Sequence, residues 1–211
     1  MRDFSRARNR MVDTQIARRG INDPHVLQAM RRVPREAFVD PGFEEFAYED
    51  SPLSIGEGQT ISQPYIVARM IEAAALRLGE TVLDVGAGSG YAAAVASQIA
   101  KRVFAIERHR TLGESARKRL QDFGYDNIDV RIGDGTKGWP EAAPFDVILV
   151  AAGGPKVPGA LKEQLTIGGR PVMPVGLDEW SQTLRKLTRM SETAFEAEDF
   201  GSVMFVPLIS E

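Results

Sequence analysis

The sequence predicts an α/β protein with a doubly wound, mostly parallel sheet, N-terminal helices and an antiparallel C-terminal edge. Short apolar runs rich in β-branched residues recur at 81–85, 102–106, 128–132, 145–150 and 170–175. Helical stretches at about 90–100 and 110–122 separate the first three runs. Strands that alternate with helices imply right-handed crossovers and a parallel sheet covered on both faces.

The first third of the chain is predicted to be helical, with a long loop after it. Apolar residues recur there at helical spacing, and Asn22-Asp23-Pro24 is a start signal for the second helix. Residues 40–64 contain several glycines and prolines and show no sustained period, which predicts a loop of the kind that often carries function. Helix returns at about 64–77.

The last third differs from the middle of the chain. Apolar residues at 184, 187, 203, 205, 206 and 208 follow with no convincing helix between them. This pattern predicts antiparallel strands that close one edge of the sheet. No repeat or linker composition divides the chain, so a single domain is expected.

Composition excludes several classes of function. With 211 residues, 43% of them hydrophobic, the chain can bury a sizeable core, and its net charge of −3 does not indicate a nucleic-acid or membrane-surface binder. No apolar stretch approaches the ~20 residues of a spanning helix, and no signal peptide is visible. The absence of cysteine and the presence of only two histidines argue against a metal site. We expect a cytoplasmic monomer that binds neither nucleic acid nor membrane.

A glycine-rich turn follows the first predicted strand of the sheet. Residues 82–90 read V-L-D-V-G-A-G-S-G, which places Gly86, Gly88 and Gly90 in the turn. Glycines let the backbone turn tightly and let a ligand approach the main chain at a helix N-terminus. Ligands of open α/β sheets bind at the carboxyl ends of the strands, where this turn falls.

Two other interpretations of the turn remain. One is a purely structural turn. The other is a nicotinamide or flavin site, whose fingerprint G-x-G-x-x-G requires a glycine at position 91, counted from Gly86. Tyr91 occupies that position, and the G-x-G-x-G spacing favours a ligand without a pyrophosphate.

Acidic residues stand near the ends of three successive strands. Glu107 lies 21 residues after Gly86, where a carboxylate can accept hydrogen bonds from both ribose hydroxyls of a nucleoside. Asp134, between Gly133 and Gly135, is placed to accept from an adenine amine, although a plain turn aspartate is an equal alternative. Asp84 precedes the glycine turn and is placed to face the ligand's amino group. The combination predicts a nucleoside site.

The loop before the sheet carries two short hydroxyl side chains, Thr60 and Ser62. They are predicted to lie over the cofactor and to position an oxygen acceptor. In the structural alternative, Ser62 is the N-cap of the next helix and Pro64 lies in its first turn.

The same loop carries a resemblance to a known family. The run from Tyr48-Glu49-Asp50 through Gln59-Thr60-Ile61-Ser62-Gln63-Pro64-Tyr65 to Met70 resembles the signature of protein-L-isoaspartate O-methyltransferases. Further segments are similar to other parts of that family, so that the resemblance covers nearly the whole chain. They are Met11-Val12, Arg19-Gly20-Ile21, Val33-Pro34-Arg35, Phe38-Val39, residues 83–90, Gly133-Asp134-Gly135, Phe145-Asp146, Pro174-Val175-Gly176 and, as a closing strand, Phe205-Val206-Pro207-Leu208.

The resemblance implies a Rossmann-like methyltransferase fold and an enzyme that uses S-adenosylmethionine. Its substrates are isoaspartyl residues of damaged proteins and peptides, methylated on the α-carboxylate so that repair proceeds through a succinimide. Residues 1–78 are expected to form N-terminal helices and a substrate loop, and 79–211 the cofactor-binding core. Ser62 falls on the active-site position. The predicted cofactor-binding residues are Thr60, Asp84, Gly86, Gly88, Ser89, Glu107, Gly133, Asp134 and Gly135.

The sequence departs from the family pattern at Glu57, where relatives often have histidine, and at Gly153-Gly154, where they tend to be alanine-rich. A carboxylate at 57 repels a carboxylate substrate unless it points away or is paired. Two alternative functions stay open. One is a methyltransferase that acts on another carboxylate, in a small molecule or a biosynthetic peptide, and the other is a binding module that has lost turnover.

Overall fold

The computed structural model describes residues 3–178 and 180–210, and its main element is a seven-stranded sheet. The strands are β3 (Thr81–Val85), β4 (Arg102–Glu107), β5 (Ile128–Ile132), β6 (Phe145–Val150), β7 (Leu165–Val175), β8 (Gln182–Arg189) and β9 (Phe195–Val203). Their spatial order is β5-β4-β3-β6-β7-β8-β9, with the first five parallel and β8 and β9 antiparallel. The predicted doubly wound sheet with an antiparallel C-terminal edge is confirmed.

Helices cover both faces of this sheet. The α-helices in the described ranges are α1 (Ser5–Met11), α2 (Pro24–Arg32), α3 (Pro64–Ala73), α4 (Tyr91–Ser97), α5 (Arg110–Asp122) and α6 (Gly159–Glu163). Side chains alternate along β3, so that Val82 joins the core formed with α2, α3 and α4, whereas Leu83 and Val85 join a second core on the other face. None of these helices is both long enough and apolar enough to cross a membrane.

The start of α2 follows directly from its sequence. The carboxylate of Asp23 accepts hydrogen bonds from the backbone N–H groups of His25 and Val26 at 2.8 and 3.1 Å, and Pro24 occupies the first helical position. Asp23 is therefore the N-cap, as the Asn-Asp-Pro signal predicts. This cap orients α2 so that Val26 and Met30 are buried.

The prediction of a loop over residues 40–64 is wrong at two places, because the segment contains a short 3₁₀-helix (Glu44–Phe46) and a small hairpin. Strand β1 (Leu53–Ser54) pairs antiparallel with β2 (Thr60–Ile61). A tight turn joins them, closed by a 2.8 Å hydrogen bond from the Gln59 N–H to the Gly56 carbonyl. Strands of two residues are too short to produce a sequence period, and pairing alone defines them.

Helix α3 begins one residue later than the capping alternative for Ser62 requires. Gln63 is the residue before its first turn and makes no side-chain capping bond, so the N-cap interpretation of Ser62 is wrong. Pro64 lies at the first helical position, as expected. The helix ends at Ala73 rather than near residue 77, because Ala75 adopts a left-handed conformation with φ of 47°.

Residues 205–209, named here the C-terminal segment, do not continue the sheet as a closing strand. Strand β9 ends at Val203, and the segment forms an isolated bridge with Gly153 instead. The buried amide of Gln182 accepts from the Phe205 N–H at 2.7 Å and donates to the Phe205 carbonyl at 3.0 Å. One side chain of β8 thus satisfies both backbone groups where the segment begins.

We expect Gln182→Ala to loosen the C-terminal segment without unfolding the sheet. The substitution leaves two buried backbone groups of Phe205 without their partner, at a cost of about 1–3 kcal/mol each. Hydrogen exchange of the peptide spanning 203–209 is expected to accelerate about tenfold or more. The exposed Gln121→Ala on α5 is the control. Unchanged exchange in the Gln182 variant would contradict this role.

Candidate active site

The glycine turn lies at the topological switch point of the sheet. Strand β4 lies on one side of β3 and β6 on the other, so the connections after β3 and β6 diverge and leave a crevice. The N–H groups of Gly86 and Ala87 both donate to the Ile106 carbonyl, at 2.9 and 3.0 Å. A Cβ atom on Gly86 would lie 3.6 Å from that of Ala151, which follows β6. The turn is therefore fixed at the crevice that ligands of such sheets occupy.

The third glycine of the turn has a packing role. A Cβ atom on Gly90 would approach Leu120 Cδ1 of α5 to 3.2 Å, and the residue has φ of 89°. Dinucleotide sites place the glycine for close helix packing one position later, where this chain has the buried Tyr91.

Glu107, at the end of β4, is held by backbone N–H groups on both carboxylate oxygens. Gly88 donates to Oε2 at 2.8 Å and His109 donates to Oε1 at 2.9 Å. Each oxygen retains a lone pair for a ligand. The side chain is buried, so its orientation is set before any ligand arrives.

Asp84 is a buried carboxylate with no hydrogen-bond partner on either oxygen among the described residues. Burial, and to a smaller extent the negative charge of Glu107, raises the pKa of Asp84 to about 7. Buried polar groups in proteins nearly always have a hydrogen-bond partner, so two unpartnered carboxylate oxygens beside a crevice call for a partner such as a bound ligand. A cationic ligand above the glycine turn would stabilise the ionised form.

The loop after β5 contributes unequally to the site. Gly135 approaches β3 so closely that a Cβ atom there would lie 2.4 Å from Val85 Cγ1. The Asp134 carboxylate caps the short 3₁₀-helix that follows, accepting from the N–H and hydroxyl of Thr136 at 2.8 and 2.7 Å. The turn interpretation of Asp134 is thus observed, and contact with an adenine amine stays a prediction. Gly133 donates to the Glu107 carbonyl at 3.0 Å.

The β1–β2 hairpin lies over the glycine turn. A Cβ atom on Gly88 would approach Ile55 Cδ1 to 3.0 Å, which places the hairpin directly against the turn. At the hairpin tip, Glu57 has φ of 51°, and its Oε2 lies 3.9 Å from Nδ1 of His109. Glu57 therefore faces His109 in the loop after β4, and this explains how a carboxylate is accommodated where relatives often have histidine.

Of Gly153 and Gly154, the second departure from the family pattern, Gly153 holds the C-terminal segment against the crevice, whereas Gly154 forms a bridge with Val175 of β7. Gly153 donates to the Val206 carbonyl at 2.8 Å and accepts from Leu208 N–H at 2.7 Å. A Cβ atom on Gly153 would lie 2.2 Å from Nε2 of Gln182. An alanine cannot occupy position 153 while the Gln182 bonds to Phe205 persist.

A cavity of about 410 Å³ lies between the glycine turn, the hairpin and the C-terminal segment, within the usual size of small-molecule sites. Seven predicted site residues line it, namely Thr60, Ser62, Gly86, Gly88, Ser89, Glu107 and Gly135. Asp84, Gly133 and Asp134 are not among its lining residues, and the side chains of Asp84 and Asp134 are buried. Within the described ranges, no group of three His, Cys, Asp or Glu side chains is arranged to hold a metal ion.

Several lining residues escape the sequence reasoning. They are Ile55, Arg108, His109, Ala151 and the stretch from Val206 to Ile209. Of these residues, only His109 has a local signal, because its position two residues after Glu107 indicates that it lies near the site. Residues 206–209 reach the cavity only through their long-range bridge to Gly153, which no local pattern reveals.

The doubly wound sheet, the glycine turn at its switch point and the oriented carboxylates define a nucleoside-binding α/β protein of the methyltransferase type. The family model Protein-L-isoaspartate(D-aspartate) O-methyltransferase (PCMT) matches residues 6–211. The chain belongs to this family, and the resemblance predicted from the loop at 48–70 is confirmed.

Relatives named Protein-L-isoaspartate O-methyltransferase match nearly the whole chain. One from Brucella anthropi is 56% identical over 209 residues, covering 99% of this chain and 96% of its own length. One from Methylorubrum extorquens is 60% identical over 207 residues, covering 98% and 90%.

Solved structures agree with these sequence relatives. A protein-L-isoaspartate O-methyltransferase superposes with a TM-score of 0.88 at 29% identity over 96% of this chain, which spans 66% of that longer chain. A Plasmodium falciparum structure named for the same activity, in complex with S-adenosyl-L-homocysteine, has a TM-score of 0.83 at 24% identity, with 96% and 98% of the two chains covered. The second likeness concerns the fold alone.

We expect Asp84→Asn to stabilise the ligand-free protein at alkaline pH. The folded state binds the Asp84 proton more tightly than the unfolded chain, whose pKa is near 3.8, so the carboxylate destabilises the fold increasingly as pH rises towards 7. Asparagine removes this penalty. The melting temperature of the variant should exceed that of the parent by several degrees at pH 8 and by much less at pH 5.

The matched control is Asp122→Asn, an exposed α5 residue that pairs with Lys118. It should show no gain that depends on pH. An Asp84 variant with the same melting difference at pH 5 and pH 8 would refute the ionisation argument.

Proposed function

We propose that this chain transfers the methyl group of S-adenosylmethionine to the α-carboxylate of L-isoaspartyl residues in damaged proteins and peptides. The methyl ester then closes to a succinimide as the neighbouring backbone nitrogen attacks and methanol leaves. The chain is a member of the isoaspartate methyltransferase family. The structural observation that supports the assignment is the position of Ser62 between two spaces. Ser62 lines both the cavity over the glycine turn and a larger groove that opens beside it.

The residues of the cavity fit the cofactor. S-adenosylmethionine supplies an electrophilic methyl group on a sulfonium and carries a positive amino group when bound. Glu107, oriented by Gly88 and His109, offers free lone pairs for the ribose hydroxyls. Asp84 does not line the cavity, but it is buried at the end of β3 next to the glycine turn with both oxygens unpartnered, and it offers negative charge for the cationic part of the molecule. Thr60, Ser89 and Gly135 form parts of the wall.

The acceptor needs orientation more than activation. A carboxylate with a pKa near 3.5–4 is ionised at neutral pH, so no general base is required. Ser62 is the proposed catalytic residue, and its hydroxyl donates a hydrogen bond that fixes the angle of the attacking carboxylate. Positioning of this kind supplies a large effective molarity.

The walls of the cavity exclude water from the reacting groups. Ile55 of the hairpin, together with Pro207 and Leu208 of the C-terminal segment, places apolar surface around the glycine turn. This arrangement favours displacement at the methyl group, because a carboxylate that has lost its hydration shell is a stronger nucleophile.

We further propose that the chain acts as a cytoplasmic monomer, as one domain, with damaged proteins as its partners and without nucleic acid. The negative net charge supports the last point, since nucleic-acid binders carry basic surfaces. Sedimentation velocity with and without a short DNA duplex tests both the monomeric state and the lack of nucleic-acid binding.

The decisive assay compares two peptides that differ only in one linkage, aspartyl or isoaspartyl. With labelled S-adenosylmethionine, we expect base-labile label on the isoaspartyl peptide and none on its partner. Label on neither peptide, with the cofactor still bound, would instead favour a different carboxylate acceptor or a binding module without turnover.

Variants of Ser62 and Glu107 should distinguish effects on the reaction of the acceptor from effects on cofactor binding. Ser62→Ala is expected to lower turnover about 10- to 100-fold, as loss of an orienting hydrogen bond does, with cofactor affinity in calorimetry nearly unchanged. Glu107→Ala should weaken cofactor binding about tenfold or more, since charge-assisted bonds are lost. Unchanged turnover of Ser62→Ala on an isoaspartyl peptide would remove the catalytic role.

A further inference from the structure

A groove of about 970 Å³ continues from the cavity past Ser62, and we call it the acceptor groove. Thr60, Ser62, Ala151 and Val206 line both spaces, so a chain in the groove has direct access to the cavity. Helix α3 forms one wall and the end of β9 the other, through residues 200–203. A groove of this size accommodates several residues of an extended peptide.

The charge of the acceptor groove is opposite to that of the protein. Its charged side chains among the described residues are Arg19 and Arg69, and no aspartate or glutamate lines it. The chain as a whole has a net charge of −3. A positive groove on an acidic protein attracts anionic ligands and raises their local concentration.

The two arginines differ in how far their charge is neutralised. Arg19 forms an ion pair with Asp50 and lies over the Tyr65 ring, 3.5 Å from its centroid. Arg69 donates to the Tyr65 hydroxyl at 2.7 Å and to the Phe200 carbonyl, and both partners are neutral. Within the described chain no acidic side chain lies within ion-pair distance of Arg69. Its positive charge is therefore held in the groove without a direct ion-pair partner, and the glutamates nearby, Glu72 and Glu198, line the adjacent pocket rather than the groove.

The remaining donors of Arg69 are open to a ligand. A guanidinium carries five N–H donors in a fixed plane, and the two bonds to Tyr65 and Phe200 use only part of this set. The side chain is half-buried, where charges are screened less than on an open surface. The bonds to α3 and β9 fix its direction, so little side-chain entropy remains to be lost on binding.

We propose that Arg69 is a specificity-determining residue that selects isoaspartyl peptides with an acidic side chain close to the damaged residue. The proposal rests on the proposed function, because Ser62 orients the reacting carboxylate while Arg69 binds a second, non-reacting one. Arg69 lies ~8 Å along α3 from Pro64, which follows Ser62 by two residues, at a rise of 1.5 Å per residue, and its guanidinium reaches back to the Tyr65 hydroxyl in the first turn of the helix. An extended peptide advances ~3.4 Å per residue, so the acidic side chain belongs two or three positions from the isoaspartyl residue.

The test uses isoaspartyl peptides that carry Glu, Gln or Lys two and three positions to either side. For the parent enzyme, kcat/KM is expected to be about three- to tenfold higher for the Glu peptides than for the Lys peptides, mostly through KM. Added salt should reduce this ratio. Arg69→Gln should bring the ratio close to one, and Arg69→Lys should retain most of it.

The exposed Arg32→Gln removes the same charge from α2, away from the groove, and should leave the peptide preference unchanged. A uniform fall of kcat/KM for all peptides in Arg69→Gln would show a merely structural role and overturn the proposal, as would a parent enzyme indifferent to flanking charge. Peptide affinity, measured by fluorescence anisotropy, gives the same comparison without turnover. Methylation of none of the peptides would refute the proposed function, and the affinities would still decide the role of Arg69.

Discussion

Glu107 is the residue on which the geometry of the site depends, because it ties three separate loops together. Its carboxylate accepts from Gly88 in the turn after β3 and from His109 in the loop after β4, and its carbonyl accepts from Gly133 after β5. His109 in turn lies near Glu57 at the hairpin tip. One buried residue thus fixes the relative positions of three strand ends and, through His109, contacts the hairpin above them.

Sequence reasoning succeeded where a strong local pattern and the tertiary structure agree. The buried parallel strands β3 and β6 are short apolar runs, and the Asp23 cap is a local hydrogen-bond motif, so both were predictable. The β1–β2 hairpin could not be predicted, because two paired residues in each strand are too few to show an alternating hydrophobic pattern. The interpretation of Ser62 as an N-cap was wrong for a related reason. The sequence Ser-Gln-Pro is compatible with either Ser62 or Gln63 as the residue before the helix, and only tertiary packing decides between them.

The site itself was predictable only in part. Residues next to a strand end, such as Glu107 and Gly86, follow from topology once the sheet is known. The C-terminal segment and Ala151 reach the cavity through contacts between residues far apart in the chain. The need for glycine at position 153 becomes clear only from the closeness of the Gln182 side chain. The charge of the acceptor groove likewise arises because Arg19 and Arg69, which are far apart in the chain, both line it and no aspartate or glutamate does.

The walls of the cavity come from residues as far apart in the chain as Ile55 and Ile209. Contacts between such distant residues form slowly, because loop-closure entropy opposes them until much of the chain is in place. A small molecule that fills this space therefore binds only the nearly complete fold and stabilises it by mass action, in proportion to the logarithm of its concentration. The cofactor concentration thus contributes to the free energy of unfolding of the enzyme as well as to its rate of turnover.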